Sequence, residues 1–95
     1  MRIYALKQYY DENSKGDTIG LFEELNEALY CVENNSLDLS DSGYYKYVVV
    51  FPVDTTGLYY IVDPDDEKWF VWDKETHSYV LCTRPRFMDH FAILL

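Results

Sequence analysis

Basic residues are scarce in this 95-residue chain, which carries eight Lys and Arg against seventeen Asp and Glu. The formal net charge is −9 at pH 7, and the acids are spread over both halves of the sequence. Such a field repels phosphate, which argues against direct binding of nucleic acid, and it attracts a basic protein surface. Acidity also keeps an aromatic-rich surface in solution, so charge alone does not separate a binding role from solubility.

Glycine and cysteine are few, and their positions match no known site. The glycines stand alone at 16, 20, 43 and 57, so there is no glycine-rich phosphate loop. The cysteine and histidine positions, 31, 77, 82 and 90, fit no zinc pattern. The stretch DPDDE at 63–67 lacks the alternating ligands and central glycine of a calcium loop. We therefore expect neither a metal nor a cofactor.

Long apolar runs are absent as well. The longest, YVVVFPV at 47–53, is far shorter than a membrane span. The N-terminal MRIYALK has too short an apolar stretch for a signal peptide. We expect a cytoplasmic protein in which Cys31 and Cys82 are free thiols among apolar neighbours.

Histidine and cysteine, which are common catalytic residues, occur in this sequence without the neighbours that catalysis requires. His77 lies near Asp73 and Glu75, but in a predicted turn, which is exposed and offers no water-poor pocket. Neither cysteine has a neighbouring base that would activate it as a nucleophile, and Arg84 is the only cation near Cys82. We therefore expect a protein that is not an enzyme.

Aromatic residues, in contrast, are plentiful. Ten Tyr, five Phe and two Trp make up 18% of the chain. Tyrosine combines apolar area with a hydroxyl group, so it suits half-buried positions and interfaces. A platform that stacks nucleic-acid bases would need interleaved Lys and Arg, and these are missing around the aromatic clusters. The aromatic residues therefore favour a protein partner.

The apolar pattern predicts a single α+β domain over residues 1–95, with a mostly antiparallel sheet of four or five strands and one helix packed on one face. Strands are predicted where β-branched and aromatic residues cluster between turn residues. These stretches are 2–10, 44–54, 58–62, and a hairpin formed by 69–73 and 78–82.

One helix is predicted at about 23–34, after a brief extended stretch at 18–22. Asn34 and Asn35 end it, because asparagine tolerates the left-handed conformation of a helix cap. The helix carries an apolar stripe at helical spacing. The stripe is formed by Phe22, Leu25, Ala28, Leu29 and Val32.

The strand at 44–54, YYKYVVVFPVD, is apolar on both faces over its middle. One helix covers only one face of a sheet, so the second face needs another cover. The C-terminal segment RPRFMDHFAILL ends in five apolar residues, which are costly to leave in water. We expect this segment to be buried within the same chain or across a two-fold homodimer, and we favour the dimer. The residues concerned are Phe91, Ile93 and Leu95.

Several short motifs carry a resemblance to a known group of proteins. They are GLFEELNEAL at 20–29, VENN at 32–35, GYY at 43–45, KWFVW at 68–72 and RPRF at 84–87. Together they resemble small uncharacterised proteins of Firmicutes and their phages or prophages. The resemblance covers most of residues 18–87 and implies a gene of mobile elements, where small acidic binding proteins are common. It implies no catalytic residues.

Two classes of function remain open. The first is a non-enzymatic binding protein that docks an acidic, tyrosine-rich surface on a basic site of another protein. In a phage this would be an anti-CRISPR-like inhibitor, whose carboxylates stand in for nucleic-acid phosphates. The second is a self-associating structural domain with a homodimer interface on the open sheet face. The residues expected to carry the first are Tyr44, Tyr59, Tyr60, Asp63, Asp65, Asp66 and Glu67.

Overall fold

The structure, a computed structural model, describes residues 1–57, 60–63 and 66–88. These residues form six strands, one α-helix and two short 3-10 turns, Ser36–Asp38 and Arg86–Met88. The predicted α+β class is confirmed. In chain order the main elements are β1 (Arg2–Tyr9), β2 (Asp17–Phe22), α1 (Leu25–Glu33), β3 (Tyr47–Thr55), β4 (Tyr60–Val62), β5 (Lys68–Asp73) and β6 (Ser78–Cys82).

The strands form one antiparallel sheet in the order β2-β1-β3-β5-β6, with β4 pairing beside β3. β3 is the centre of this sheet. One of its edges pairs with β1 from end to end, and the other pairs first with β5 and then with β4. Pro52 falls in the gap between these two partners, because β5 pairs only as far as Val50 and β4 begins at Val53. A proline, which has no N–H to donate, is tolerated where the ladder is interrupted.

The side chains of β3 alternate between two hydrophobic layers. Val48 and Val50 pack with α1, together with residues of β1, β5 and β6. On the opposite face Val49, Phe51 and Val53 pack with side chains of β1 and β5 and with the turn at Arg86–Met88. All five of these side chains are 0% exposed in the single chain. The second face is therefore already buried at its centre without a second copy of the protein.

α1 packs on the sheet through the predicted stripe. Ala28 and Val32 are fully buried, and Phe22, Leu25 and Leu29 are partly buried against the same cluster. The helix begins at Leu25, two residues later than predicted, because Phe22 is still paired with Tyr4 in the sheet. It ends as expected, with Asn35 in the left-handed region at φ 45°.

β2 corrects the prediction for residues 18–22. We expected only a brief extended stretch before the helix, but Asp17–Phe22 is an edge strand of the sheet. Its register with β1 shifts between Leu6 and Lys7, which leaves Ile19 as the extra residue of a β-bulge. The bulge breaks the alternation of apolar and polar residues by which a strand is recognised in a sequence.

Val32→Asp tests the packing of the helix. The change places a carboxylate at a position that is 0% exposed. We expect it to lower the free energy of unfolding by at least about 3 kcal/mol, because a buried charge without a partner is among the most destabilising changes. Tyr30→Asp is the matched control, since Tyr30 lies on the same helix and is 63% exposed. Urea unfolding of both variants gives the comparison, and equal stability would show that the wrong helix face is buried.

Candidate protein-binding surface

Two of the predicted partner-binding carboxylates lie around one arginine. The guanidinium of Arg2 is 3.4 Å from Asp63 Oδ2 and 3.0 Å from Asp66 Oδ2, and its other terminal nitrogen is 3.5 Å from Asp54 Oδ2. Three carboxylates and one guanidinium leave a formal charge of −2. The side chain of Asp66 is 66% exposed, so this group remains at the surface although its charge is partly balanced.

Glu67, which was predicted to bind a partner, is largely buried, unlike Asp66. Its side chain is only 7% exposed, and Oε1 lies 3.2 Å from Nη1 of Arg84. The same oxygen accepts a hydrogen bond of 2.9 Å from Nε1 of Trp69. Arg84 also donates to the carbonyl oxygen of Met88 at 3.0 Å. The pair therefore ties the C-terminal turn to the start of β5, over the second face, and Glu67 is left out of the candidate surface.

Tyr44, in contrast, is exposed as expected. It is 58% exposed and stacks on Tyr10, with ring centroids 5.6 Å apart and an angle of 21° between the planes. Tyr45 packs edge-on against Tyr44 at 5.2 Å. Tyr10 was missed in the sequence because a tyrosine at the end of a strand carries no signal that it will meet another tyrosine in space.

Among the described residues, Tyr44 lies far from Asp63 and Asp66. Arg2 pairs with Asp54 at one end of the β1–β3 ladder, and Tyr9 pairs with Tyr47 at the other. With about 3.4 Å per residue, the carboxylates around Arg2 lie roughly 25 Å from the tyrosine stack. Tyr60 begins β4. Five residues of the predicted sites lie outside the described residues: Tyr59, Asp65, Phe91, Ile93 and Leu95.

The chain around the tyrosine stack is held by a network centred on Asp38. Its Oδ1 accepts hydrogen bonds from the backbone N–H of Ser42 at 3.1 Å and from Nδ2 of Asn35 at 3.4 Å. Asn35 in turn accepts from the backbone N–H of Ser40 at 2.8 Å. The Ser42 N–H is the main reason why the pKa of Asp38 is lowered, and the network therefore fixes a negative charge at this site.

Residues 35–43 adopt an unusual backbone. Asn35, Leu37, Asp38, Asp41 and Ser42 all have φ between 45° and 58°, and Gly43 has φ 89°. Non-glycine residues rarely take such values, and they do so where surrounding contacts hold them. A Cβ at Gly43 would lie 2.7 Å from Nε1 of Trp72, so the loop rests directly on that ring. We call residues 35–45 the acidic loop.

A groove of about 460 Å³ lies between the acidic loop and the neighbouring strands β1 and β2. Its walls include Leu6 and Ile19 from the strands and Leu37, Asp41 and Tyr45 from the loop. Leu37 is fully exposed at 104% and stands in the left-handed region. The groove and the tyrosine stack share the Tyr44–Tyr45 corner, so together they form one acidic and aromatic surface, which we call the loop-end surface.

Other candidate chemistry receives no support in the part of the chain that the structure describes. Within residues 1–57, 60–63 and 66–88 no group of three His, Cys, Asp or Glu is arranged to hold a metal ion. No described helix is long and apolar enough to cross a membrane. Cys31 and Cys82 are free thiols, as predicted, and burial raises the pKa of Cys82.

Comparison with known proteins gives no family for this chain. No protein-family model matches it, and no curated protein or solved structure is significantly similar to it. What the chain does must therefore be inferred from its own residues.

An interface between two copies through the second face is constrained by the burial described above. The centre of that face is covered, and Phe87 and Met88 pack against it. Self-association there would have to use the rim of the face or residues 89–95.

Arg84→Met tests the tie across the second face. Removing the guanidinium leaves Glu67 as a buried charge without its cation, so we expect a loss of about 2–4 kcal/mol in the free energy of unfolding. Arg86→Met is the control, since Arg86 is an exposed arginine of the same segment. Urea unfolding of both variants decides the matter. If the two variants are equally stable, the Glu67–Arg84 pair does not hold the C-terminal turn.

Because Tyr9 is buried, we expect the free energy of unfolding to change with pH in the alkaline range. It is 3% exposed, and burial, together with the charge of Glu67, raises its pKa from 10 to about 12. The unfolded chain then loses the phenol proton at lower pH than the folded chain does, so the free energy of unfolding falls between about pH 10 and pH 12. Tyr9→Phe should show a smaller fall over this interval in denaturant titrations at several pH values. Parallel curves for both proteins would contradict the assignment.

Proposed function

We propose that this chain is a non-enzymatic, small acidic binding protein that docks the loop-end surface on a basic site of another protein. The observation that carries the proposal is the exposed stack of Tyr10 and Tyr44 beside the acidic loop. Large aromatic side chains supply much of the binding energy of protein interfaces. Charges that serve only for solubility do not require exposed aromatic residues beside them.

The geometry of the loop-end surface favours binding with little reorganisation. Tyr45 is fixed at both backbone groups: its N–H donates to Ser40 at 3.0 Å, and its carbonyl oxygen accepts from the Tyr79 hydroxyl at 2.6 Å. The acidic loop is fixed through Asp38. A surface that is already ordered loses little conformational entropy when a partner docks, so more of the contact energy remains as affinity.

The negative net charge of the protein favours partners with a basic surface. With a formal net charge of −9, the protein attracts basic surfaces over the distance of the Debye length and repels acidic ones. Asp11 directly follows Tyr10 in the chain, and Asp38 and Asp41 belong to the acidic loop that leads to Tyr44. Carboxylates and aromatic residues on one surface suit a partner surface rich in Lys and Arg, such as the nucleic-acid-binding site of another protein.

The narrower form of the proposal follows the resemblance to phage and prophage proteins. In that setting the basic partner is a nucleic-acid-handling complex of the bacterial host, and the protein is an inhibitor that occupies its nucleic-acid site, as anti-CRISPR proteins do. A second acidic group, formed by Asp54, Asp63 and Asp66 around Arg2, lies at the far end of β3. It offers a separate contact for an extended basic groove.

Tyr44→Ala tests the proposal. Immobilised wild-type protein should retain a basic protein from bacterial lysate at low salt and release it at high salt, as mass spectrometry of the eluates would show. Tyr44→Ala should weaken this capture by about tenfold or more, since it removes a central aromatic contact. Tyr30→Ala is the control, because Tyr30 is equally exposed but lies on α1. Capture that is insensitive to salt, or equal for both variants, would contradict the proposal.

A further inference from the structure

Leu37 differs from the other left-handed residues of the acidic loop by its residue type. Its backbone has φ 53° and ψ 31°. This conformation suits glycine, asparagine and aspartate, and it is costly for a bulky side chain. Among the described residues, Leu37 is the only apolar one in the left-handed region. The other left-handed residues of the loop are small or polar: Asn35, Asp38, Asp41, Ser42 and Gly43.

The side chain of Leu37 gains no burial that would offset this strain. It is 104% exposed, whereas Leu39, two positions later, packs against the cluster on α1. A single leucine at a protein surface is ordinary, but this one is exposed and strained at once. Strained residues of this kind persist chiefly at functional sites. Asparagine at position 37 would suit the isolated chain better, so the leucine calls for a role outside it.

The turn that carries Leu37 is fixed on both sides. The N–H of Asp38 donates to the carbonyl oxygen of Asn35 at 3.0 Å, which closes the turn around the leucine. Ser40 is fully buried, and its N–H donates to Oδ1 of Asn35 at 2.8 Å. The leucine is therefore held outwards at a defined place, and little backbone freedom is lost when it enters an interface.

We propose that Leu37 is the apolar anchor of the loop-end surface, which rests on the proposed function. It enters an apolar pocket on the partner protein, and Lys or Arg side chains of the partner lie at the rim of that pocket. The carboxylates of Asp38 and Asp41, in the same loop, face that basic rim. A basic surface without such a pocket gains only the charge contacts, so Leu37 distinguishes one basic partner from another.

A second copy of the chain is a poorer partner for Leu37. The groove of about 460 Å³ beside the acidic loop has apolar walls, so it offers a place for the leucine of another copy. That arrangement would bring two acidic loops together, and each copy carries a formal net charge of −9. Like charges repel, whereas the same carboxylates attract a basic protein. The charge therefore favours a different protein as the partner.

Melting temperatures of the full chain test whether Leu37 is strained. Leu37→Asn should raise the melting temperature by about 2–6 °C, because asparagine adopts left-handed backbone more easily and no buried contact is lost. Leu21→Asn is the matched control. Leu21 is 57% exposed in the extended strand β2, beside Ala5 of the second face, and its replacement should not raise the melting temperature. An unchanged or lower melting temperature in Leu37→Asn would contradict the inference.

Retention of a partner on the immobilised variants tests the anchor itself. The probe is the basic protein that the wild type retains from bacterial lysate at low salt and releases at high salt. Leu37→Asn should weaken its retention by about tenfold, since the burial of one leucine is lost. Leu37→Met keeps an apolar side chain of similar volume and should stay within about twofold of the wild type. Leu21→Asn should retain the probe as the wild type does.

Photocrosslinking locates the pocket that receives the side chain. Leu37 or, as the control, Leu21 is replaced by p-benzoylphenylalanine, an apolar photoreactive residue. Irradiation in the lysate should join position 37, but not position 21, to the retained basic protein. Mass spectrometry of the joined peptides should identify apolar residues that have Lys or Arg beside them.

The outcomes separate this inference from the proposed function. Equal retention by Leu37→Asn and the wild type, together with a loss in Tyr44→Ala, would overturn the anchor and leave the proposed function standing. Crosslinks from position 37 only to a second copy of the chain would also overturn the anchor. If no protein is retained in a salt-sensitive manner, the proposed function fails, and the anchor that rests on it fails as well.

Discussion

β3 presents buried side chains on both of its faces, and this double burial requires two separate covers from a chain of 95 residues. α1 supplies the first cover, through Ala28 and Val32. On the second face Phe87 and Met88 pack against β3, and the ion pair between Arg84 and Glu67 ties their turn to the sheet. A small domain has little interior. A strand that is buried on both faces therefore contributes much of the hydrophobic stabilisation of the whole domain.

The double burial of β3 also limits which parts of the described sheet are open to contact. Both sheet faces are occupied at their centres by described residues, while the two ends of β3 remain at the surface. The end that carries Tyr10, Tyr44 and the acidic loop is ordered by the Asp38 network and by the contact of Gly43 with Trp72. The other end carries the carboxylates around Arg2, which are partly balanced. The proposed docking on the loop-end surface is based on this combination of ordered aromatic area and carboxylates.

Local patterns in the sequence predicted much of the fold. The stripe on α1, the Asn35 cap and the hairpin of β5 and β6 follow from spacing and turn residues alone. β2 could not be found in this way, because its bulge at Ile19 breaks the alternation. Proline is rare in central strands, and the gap between β4 and β5 explains why Pro52 is tolerated there.

The candidate site was harder to predict, because it depends on residues that are distant in the sequence. The acidity and Tyr44 were visible, but the stack with Tyr10 arises only when β1 and β3 pair. Glu67 looked like one of a run of surface acids, and its burial depends on Arg84, which is seventeen positions away. Gln8 gives no sign in the sequence that it will line a groove beside the acidic loop.

A single chain buries β3 on both faces. Hydrogen exchange of the native protein, measured residue by residue at several protein concentrations, tests it most directly. We expect the amides of Val48, Val49, Phe51 and Val53 to exchange only through global unfolding, at rates that do not depend on protein concentration. Faster exchange of these amides on dilution would show that a second copy of the chain supplies one of the covers, and it would contradict the account.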